Sequence, residues 1–127
     1  TQLRDLLREK VLPYQPKEIH GRIASPPQMF PCIFDLSTKN QDLATRKAIV
    51  KIEGKDVEDV DEYMDPDSPK YKAMVEEIRR MLGFTTLKYQ TLEDMIKAVT
   101  EAPNNIGLKR EDLCLYCWTG RFRVSNN

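Results

Sequence analysis

The sequence predicts an α/β chain in which one helix and one strand precede a mainly helical region. Three observations carry this prediction. A helical repeat of leucines opens the chain, residues 18–24 show the apolar alternation of a strand, and apolar residues recur at spacings of three and four from residue 41 onward. The length of 127 residues allows one domain with a modest core.

The first predicted element is a helix over residues 1–11. Its apolar side chains share one face: Leu3, Leu6, Leu7 and Val11. Pro13 and Pro16 are expected to end it, because proline lacks the backbone N–H that a helix needs. The predicted strand at 18–24 places Ile19 and Ile23 on one face. Ser25-Pro26-Pro27 stops it, since proline cannot donate to a sheet ladder.

The predicted strand has no obvious partner. Apart from a brief extended piece at 87–89, no other segment has a strand pattern, and these two pieces are not expected to make a sheet. A lone strand would leave backbone groups unpaired on both sides. Either the chain is essentially helical, or the strand belongs to a sheet whose other strands lie outside this sequence. The abrupt start at Thr1 favours the second alternative, in which 1–40 end a sheet domain and 41–127 form a helical C-terminal region.

The helical region is divided by turn and cap signals. A helix is expected from residue 41 to Gly54, with Leu43, Ala44, Ala48, Ile49 and Ile52 facing inward. A short helix is expected within 56–64. Ser68 is predicted to cap a helix that begins at Pro69 and ends at Gly83. Thr91 is predicted to cap the next helix, whose inward residues are Leu92, Met95, Ile96 and Val99.

Composition and motifs indicate no catalytic residue. Twenty basic and twenty acidic side chains give a formal net charge of zero, so no global field favours nucleic acid or a membrane surface. No apolar run is long enough to cross a bilayer. The five glycines do not cluster into a phosphate-binding loop, and Ser25 lies in no nucleophile motif. We therefore predict no partner of the nucleic-acid or membrane class.

The cysteines are the residues that most strongly indicate chemistry. The chain has three, at Cys32, Cys114 and Cys117, and the last two have the spacing that lets two thiolates bind one metal or cluster. Three sulfurs are one short of a cysteine-only site. A redox dithiol and ordinary thiols remain alternatives, as does a free-standing helical interaction module that binds zinc with His20. So few cysteines favour a reducing cytoplasm.

Three separated blocks resemble amidophosphoribosyltransferase, the glycosyltransferase that begins de novo purine synthesis. The first is the stretch EIHGRIASPP at 18–27 with the FPC that ends at Cys32. The second is LKYQTLEDMI at 87–96, and the third is CLYCWTG at 114–120. The blocks occur in the family's order and cover both ends of the chain, whereas residues 41–82 match only loosely.

The resemblance implies a structural role for the cysteines. In the cluster-containing branch of the family, four cysteines hold a 4Fe-4S cluster. Cys32, Cys114 and Cys117 match three of these ligands, and the fourth would lie upstream of this chain. The cluster could therefore be absent from the isolated segment.

The resemblance also implies a larger enzyme. The strand at 18–24 would be a late strand of a phosphoribosyltransferase-type sheet, with 25–27 bordering the ligand edge. The complete enzyme would transfer ammonia from glutamine to phosphoribosyl pyrophosphate, giving phosphoribosylamine. The expected partners are the upstream glutaminase and phosphoribosyltransferase portions, in a homo-oligomer, and this segment alone would not be catalytic. Asp35, which follows Phe34 where the family usually has glycine, and an acidic insertion at 56–69 indicate a divergent member.

Overall fold

A computed structural model describes residues 2–122 of the chain, which form an α/β fold. The described part contains six α-helices and a two-stranded parallel sheet. In chain order the elements are α1 (Gln2–Leu6), β1 (His20–Ile23), α2 (Ala44–Glu53), α3 (Asp61–Met64), α4 (Pro69–Leu82), β2 (Thr86–Tyr89), α5 (Leu92–Thr100) and α6 (Tyr116–Thr119).

The two strands pair with each other, which corrects the prediction that the extended pieces could not make a sheet. His20 lies opposite Thr86 and Ile23 opposite Tyr89 in a parallel register. The pairing extends beyond the strands, because Thr85 N–H donates to the Ile19 carbonyl at 2.7 Å. Parallel pairing requires a long crossover, here the helices α2 to α4. The sequence pattern missed the pairing because the partners are about 66 residues apart.

The first helix continues differently from the prediction. The α-helical part ends at Leu6, a π-helical turn follows over Leu7–Val11, and a 3₁₀ turn follows over Leu12–Tyr14. Pro13 therefore lies within the last turn, where its fixed φ and missing N–H are tolerated. The chain then leaves the helix through Gln15 in the left-handed region at φ 50°.

The core lies where helices α2 and α4 pack together under the sheet. Ala48 and Ile49 of α2, and Met74 and Ile78 of α4, have 0% of their surface exposed. The predicted caps of α4 are confirmed: Tyr71 N–H donates to Ser68 Oγ at 3.1 Å, and Gly83 adopts φ 76°. The other buried members of this core are Leu7, Met29, Val60, Tyr63, Phe84 and Leu87.

Several side chains differ from their predicted positions. Ile52 and Val99, expected to face inward, are 42% and 41% exposed, because α2 and α5 are covered on one narrow face only. Ile19 and Ile23, predicted to share one face of the strand, are both half-buried and pack against the core. The short helix expected within 56–64 is confined to α3.

Within the described residues, no helix combines the length and apolar character that crossing a membrane requires.

Candidate cysteine site

Two segments that are distant in the sequence meet at the cysteines. We call residues 26–34 the cysteine loop and residues 113–122 the C-terminal segment. The N–H groups of Met29 and Phe30 both donate to the carbonyl of Cys117, at 2.9 and 3.0 Å. Trp118 Nε1 donates to the carbonyl of Pro26 at 3.1 Å. These three hydrogen bonds fix the register of the loop against α6, which brings Cys32 beside the Cys114–Cys117 pair.

Aromatic side chains fill the space between the two segments. The Phe30 and Tyr116 rings lie 6.1 Å apart, and Tyr116 stacks on Phe122 at 4.6 Å. Phe34 meets Phe122 edge to face at 6.2 Å. Gly120, at φ 67°, lies so close to Phe30 that an added Cβ would stand 2.7 Å from the ring. A glycine is therefore required here both by backbone conformation and by the approach of the ring.

The three predicted thiols share one environment. Cys32 and Cys117 are half-buried, Cys114 is exposed, and all three are free. The pKa of the Cys117 thiol is raised first by burial, and then by the neighbouring sulfurs of Cys32 and Cys114. Without a bound cation the Cys117 thiol thus favours its neutral form, since no adjacent positive charge is among the causes of its pKa shift.

The donor arrangement does not match a site for a single ion. Among residues 2–122, no three histidine, cysteine, aspartate or glutamate side chains are placed to hold one metal ion. His20, the predicted fourth zinc ligand, has both ring nitrogens engaged on β1: Nε2 lies 2.9 Å from Glu18 Oε2, and Nδ1 lies 2.8 Å from Thr86 Oγ1. Zinc at His20 would have to displace one of these partners.

Helix α2 supplies two polar residues that the sequence patterns missed. Thr45 and Arg46 are 2% and 4% exposed, and both donate to the cysteine loop. Thr45 Oγ1 lies 2.6 Å from the Gln28 carbonyl, and Arg46 Nε lies 3.0 Å from the Met29 carbonyl. The available signal was the position of Arg46, three residues after Leu43 on the apolar face of the helix.

A groove of about 920 Å³ lies beside the cysteines, at the carboxyl ends of the two strands. Pro26 and Pro27, which follow β1, and Gln90 and Thr91, which follow β2, form part of its wall, and Cys114 lies at the same groove. The carboxyl edge of a parallel sheet is where α/β folds place ligands. Residues 25–27 were predicted to border a ligand edge, and two of them, Pro26 and Pro27, lie in the wall of this groove; that a ligand binds there stays a prediction.

Comparison with curated proteins finds amidophosphoribosyltransferases. The relative from Archaeoglobus fulgidus is 30% identical over 109 residues, which is 86% of this chain. Those from Methanocaldococcus jannaschii and Synechococcus elongatus are 29% and 27% identical over 111 residues, or 87% and 85% of the chain. The chain spans only 18%, 17% and 16% of the lengths of these three relatives.

Other comparisons add no relative. No protein-family model matches the sequence. No solved structure matches it either. The resemblance predicted from the three sequence blocks is nevertheless confirmed by the curated relatives: over most of its length, this chain is similar to a part of the amidophosphoribosyltransferases.

Proposed function

We propose that this chain acts as the C-terminal part of an amidophosphoribosyltransferase-like enzyme, in which Cys32, Cys114 and Cys117 hold a structural 4Fe-4S cluster. The complete enzyme would take ammonia from glutamine and place it on phosphoribosyl pyrophosphate, giving phosphoribosylamine in purine synthesis. The chain itself would contribute no catalytic residue, and its working environment would be a reducing cytoplasm, where the thiols stay free.

The observation that carries the proposal is the pair of hydrogen bonds from Met29 and Phe30 to the Cys117 carbonyl. They join two segments 88 residues apart in the sequence: one carries Cys117, which the resemblance assigns to the cluster, and the other is the loop that carries Cys32. The same contacts place Cys117 beside Cys32 and Cys114, so three of the four thiols that a 4Fe-4S cluster uses are neighbours.

The donor chemistry supports the same assignment. Soft thiolates are the ligands that iron–sulfur clusters use, and a bound cluster would lower the high cost of ionising the Cys117 thiol. The cluster, when bound, would supply cross-linking rather than reaction chemistry. It would tie the cysteine loop to the C-terminal segment, where the protein's own contacts are three hydrogen bonds and a set of half-exposed aromatic rings.

The proposal extends to the sheet and to the division of the chain. The two described strands would be late strands of a phosphoribosyltransferase-type sheet, with residues 1–40 completing that domain and residues 41–127 forming the C-terminal region. The remaining strands, the fourth cysteine ligand and the glutaminase portion would come from the rest of the enzyme, assembled as a homo-oligomer. The groove at Pro26 and Thr91 would then border the ligand edge of the complete sheet.

Anaerobic reconstitution with iron and sulfide tests the cluster. The 127-residue chain is expected to take up iron and sulfide in equal amounts with an added thiol as fourth ligand, and Cys32→Ser, Cys114→Ser and Cys117→Ser should each lose most of both. His20→Ala serves as the matched control, because it should leave the iron content unchanged. Uptake of stoichiometric zinc that is lost in His20→Ala would instead favour the free-standing zinc module. Uptake of neither metal by the parent chain would contradict both.

A further inference from the structure

We infer that Arg46 is a positioning residue for the cysteine site: it holds the cysteine loop so that the Cys32 thiol faces Cys117. The inference deepens the proposed function and rests on it for its biological meaning. Its physical content, which is the mutual placement of two thiols, can be measured whether or not a cluster binds.

Arg46 carries a charge that is buried in the fold. Its side chain is 5% exposed, and its one carboxylate partner among residues 2–122 is Asp56, which is 3.5 Å away and itself half-exposed. Burying a guanidinium costs free energy that a long contact to a solvated carboxylate does not return. A hydrophobic residue at this position of α2 would avoid that cost. The buried charge is therefore explained by the backbone carbonyls to which its N–H groups donate.

The Arg46 side chain bridges the cysteine loop and the loop before α3 by hydrogen bonds to both. Nε donates to the Met29 carbonyl at 3.0 Å, and Nη1 donates to the Val57 carbonyl at 2.7 Å. The guanidinium carbon also lies 5.5 Å from the centre of the Phe30 ring, within cation–π range. One side chain thus fixes the carbonyl of Met29 and the ring of the residue that follows it.

The residues that Arg46 fixes are the same ones that contact the CxxC pair. Met29 and Phe30 donate their N–H groups to the Cys117 carbonyl, and the Phe30 ring packs on Tyr116 and against Gly120. A continuous set of contacts therefore runs from α2 through two loop residues to α6. Cys32 lies two residues beyond Phe30, so freeing Met29 and Phe30 frees the Cys32 thiol as well.

Thr45, the residue before Arg46 on α2, also binds the cysteine loop. Thr45 and Arg46 are the two buried polar or charged residues of the described chain. They donate to successive carbonyls of one loop, those of Gln28 and Met29. Buried polar groups that are fully satisfied specify one arrangement of the segments they join. Here the arrangement they specify is that of the cysteine loop.

Thiol–disulfide exchange with glutathione tests the placement without a metal. In a Cys114→Ser background only Cys32 and Cys117 remain. One cysteine thiolate attacks oxidised glutathione, which forms a mixed disulfide and releases one glutathione thiolate. The second cysteine thiolate then attacks the mixed disulfide, which forms the Cys32–Cys117 disulfide and releases the second glutathione thiolate. Two cysteines are oxidised as one glutathione disulfide is reduced to two thiols, so the equilibrium measures the effective concentration of Cys32 near Cys117.

We expect Arg46→Met to lower that effective concentration about tenfold, because the variant lacks the hydrogen bonds from a charged donor that hold the cysteine loop. Arg46→Lys should lower it less, because an ammonium keeps the charge but does not span both carbonyls. Arg80→Met is the matched control, since Arg80 is 68% exposed on α4 and forms an ion pair with Glu77, far from the cysteine loop in sequence. It should leave the equilibrium unchanged.

The remaining outcomes separate the two proposals. The inference is overturned if Arg46→Met lowers the free energy of unfolding in urea but leaves the thiol equilibrium at the parent value, because the residue would then be merely structural. Should Arg46→Met fail to fold, Arg46→Lys is judged by the same criterion. Failure of the parent chain to bind iron, with a tenfold effect of Arg46→Met on the thiols, would contradict the cluster and leave the positioning role standing.

Discussion

The helix pair α2–α4 and the cysteine site are held together by different forces. At the helix pair, side chains such as Ile49 and Ile78 are completely buried, and apolar burial is the main source of stabilisation. The ion pair between Lys51 and Glu77 adds little, because Lys51 is 59% exposed. At the cysteine site the rings and thiols remain half-exposed, and the segments are joined by a few hydrogen bonds and one buried guanidinium. We therefore expect apolar packing to hold the core together, whereas the cysteine site depends on specific hydrogen bonds and on the metal cluster or other group that its thiols bind.

The largest expected effect is at the helix pair. Ile78→Ala removes fully buried methyl groups at the α2–α4 contact and should lower the free energy of unfolding by about 3 kcal/mol. Urea denaturation followed by circular dichroism measures it. Ile52→Ala, the same change at a 42% exposed position of α2, should cost less than about 1 kcal/mol. Equal losses in the two variants would break the comparison.

The next effect is at the cysteine site, where Gly120→Ala should cost about 2 kcal/mol. The new Cβ would add the strain of φ 67° to a contact of 2.7 Å with Phe30. Gly54→Ala is the control, because it has a similar φ of 77° and nothing within 4 Å of the added Cβ. The difference between the two unfolding free energies isolates the contact with Phe30. If the two glycines behave alike, the ring does not constrain the site.

Alkaline pH should weaken the core through Tyr89, at the end of β2. Burial, with a smaller contribution from Tyr71, raises the pKa of Tyr89 from 10.0 to about 12. The folded chain therefore holds the phenol proton more tightly than the unfolded chain does. This contribution is complete below pH 10 and is lost as the pH rises through 12, by up to about 3 kcal/mol.

The measurement is urea denaturation at several pH values, with Tyr89→Phe as the control. The control should show a flatter decline over this range, because it has no phenol to ionise. A parallel decline in both proteins would show that other groups, such as lysines, account for the alkaline loss. Such a result would remove Tyr89 from the description of the core.

The smallest expected effect is that of Trp118→Phe, which keeps an aromatic ring but removes the 3.1 Å hydrogen bond to the Pro26 carbonyl. We expect a loss of about 1 kcal/mol. The same variant should speed alkylation of Cys32 by iodoacetamide, because the cysteine loop loses one of its three hydrogen bonds to the C-terminal segment. Unchanged alkylation would mean that the two hydrogen bonds to Cys117 hold the loop by themselves.

Local signals predicted much of the fold, including both ends of α4 and the start of α5. Ser68 and Thr91 accept hydrogen bonds from N–H groups three residues later, and Gly83 ends α4 in the left-handed conformation. Signals of this kind act within one turn of helix, so they are visible in a short window of sequence. Side-chain burial was predicted less well, as Ile52 shows, because helical periodicity identifies an apolar face but not how much of it is covered.

By itself the sequence predicted the helices α2 to α5 and the caps of α4 and α5, it contained the three cysteines, and its blocks identified the relatives. Only the tertiary structure decided that β1 pairs with β2, that Arg46 is buried against the cysteine loop, and that Phe30 packs on the segment that carries Cys117. The physical reason is the separation of the partners along the chain. Caps and helical periodicity are fixed by neighbours a few residues apart, whereas these contacts form only when the core brings distant segments together.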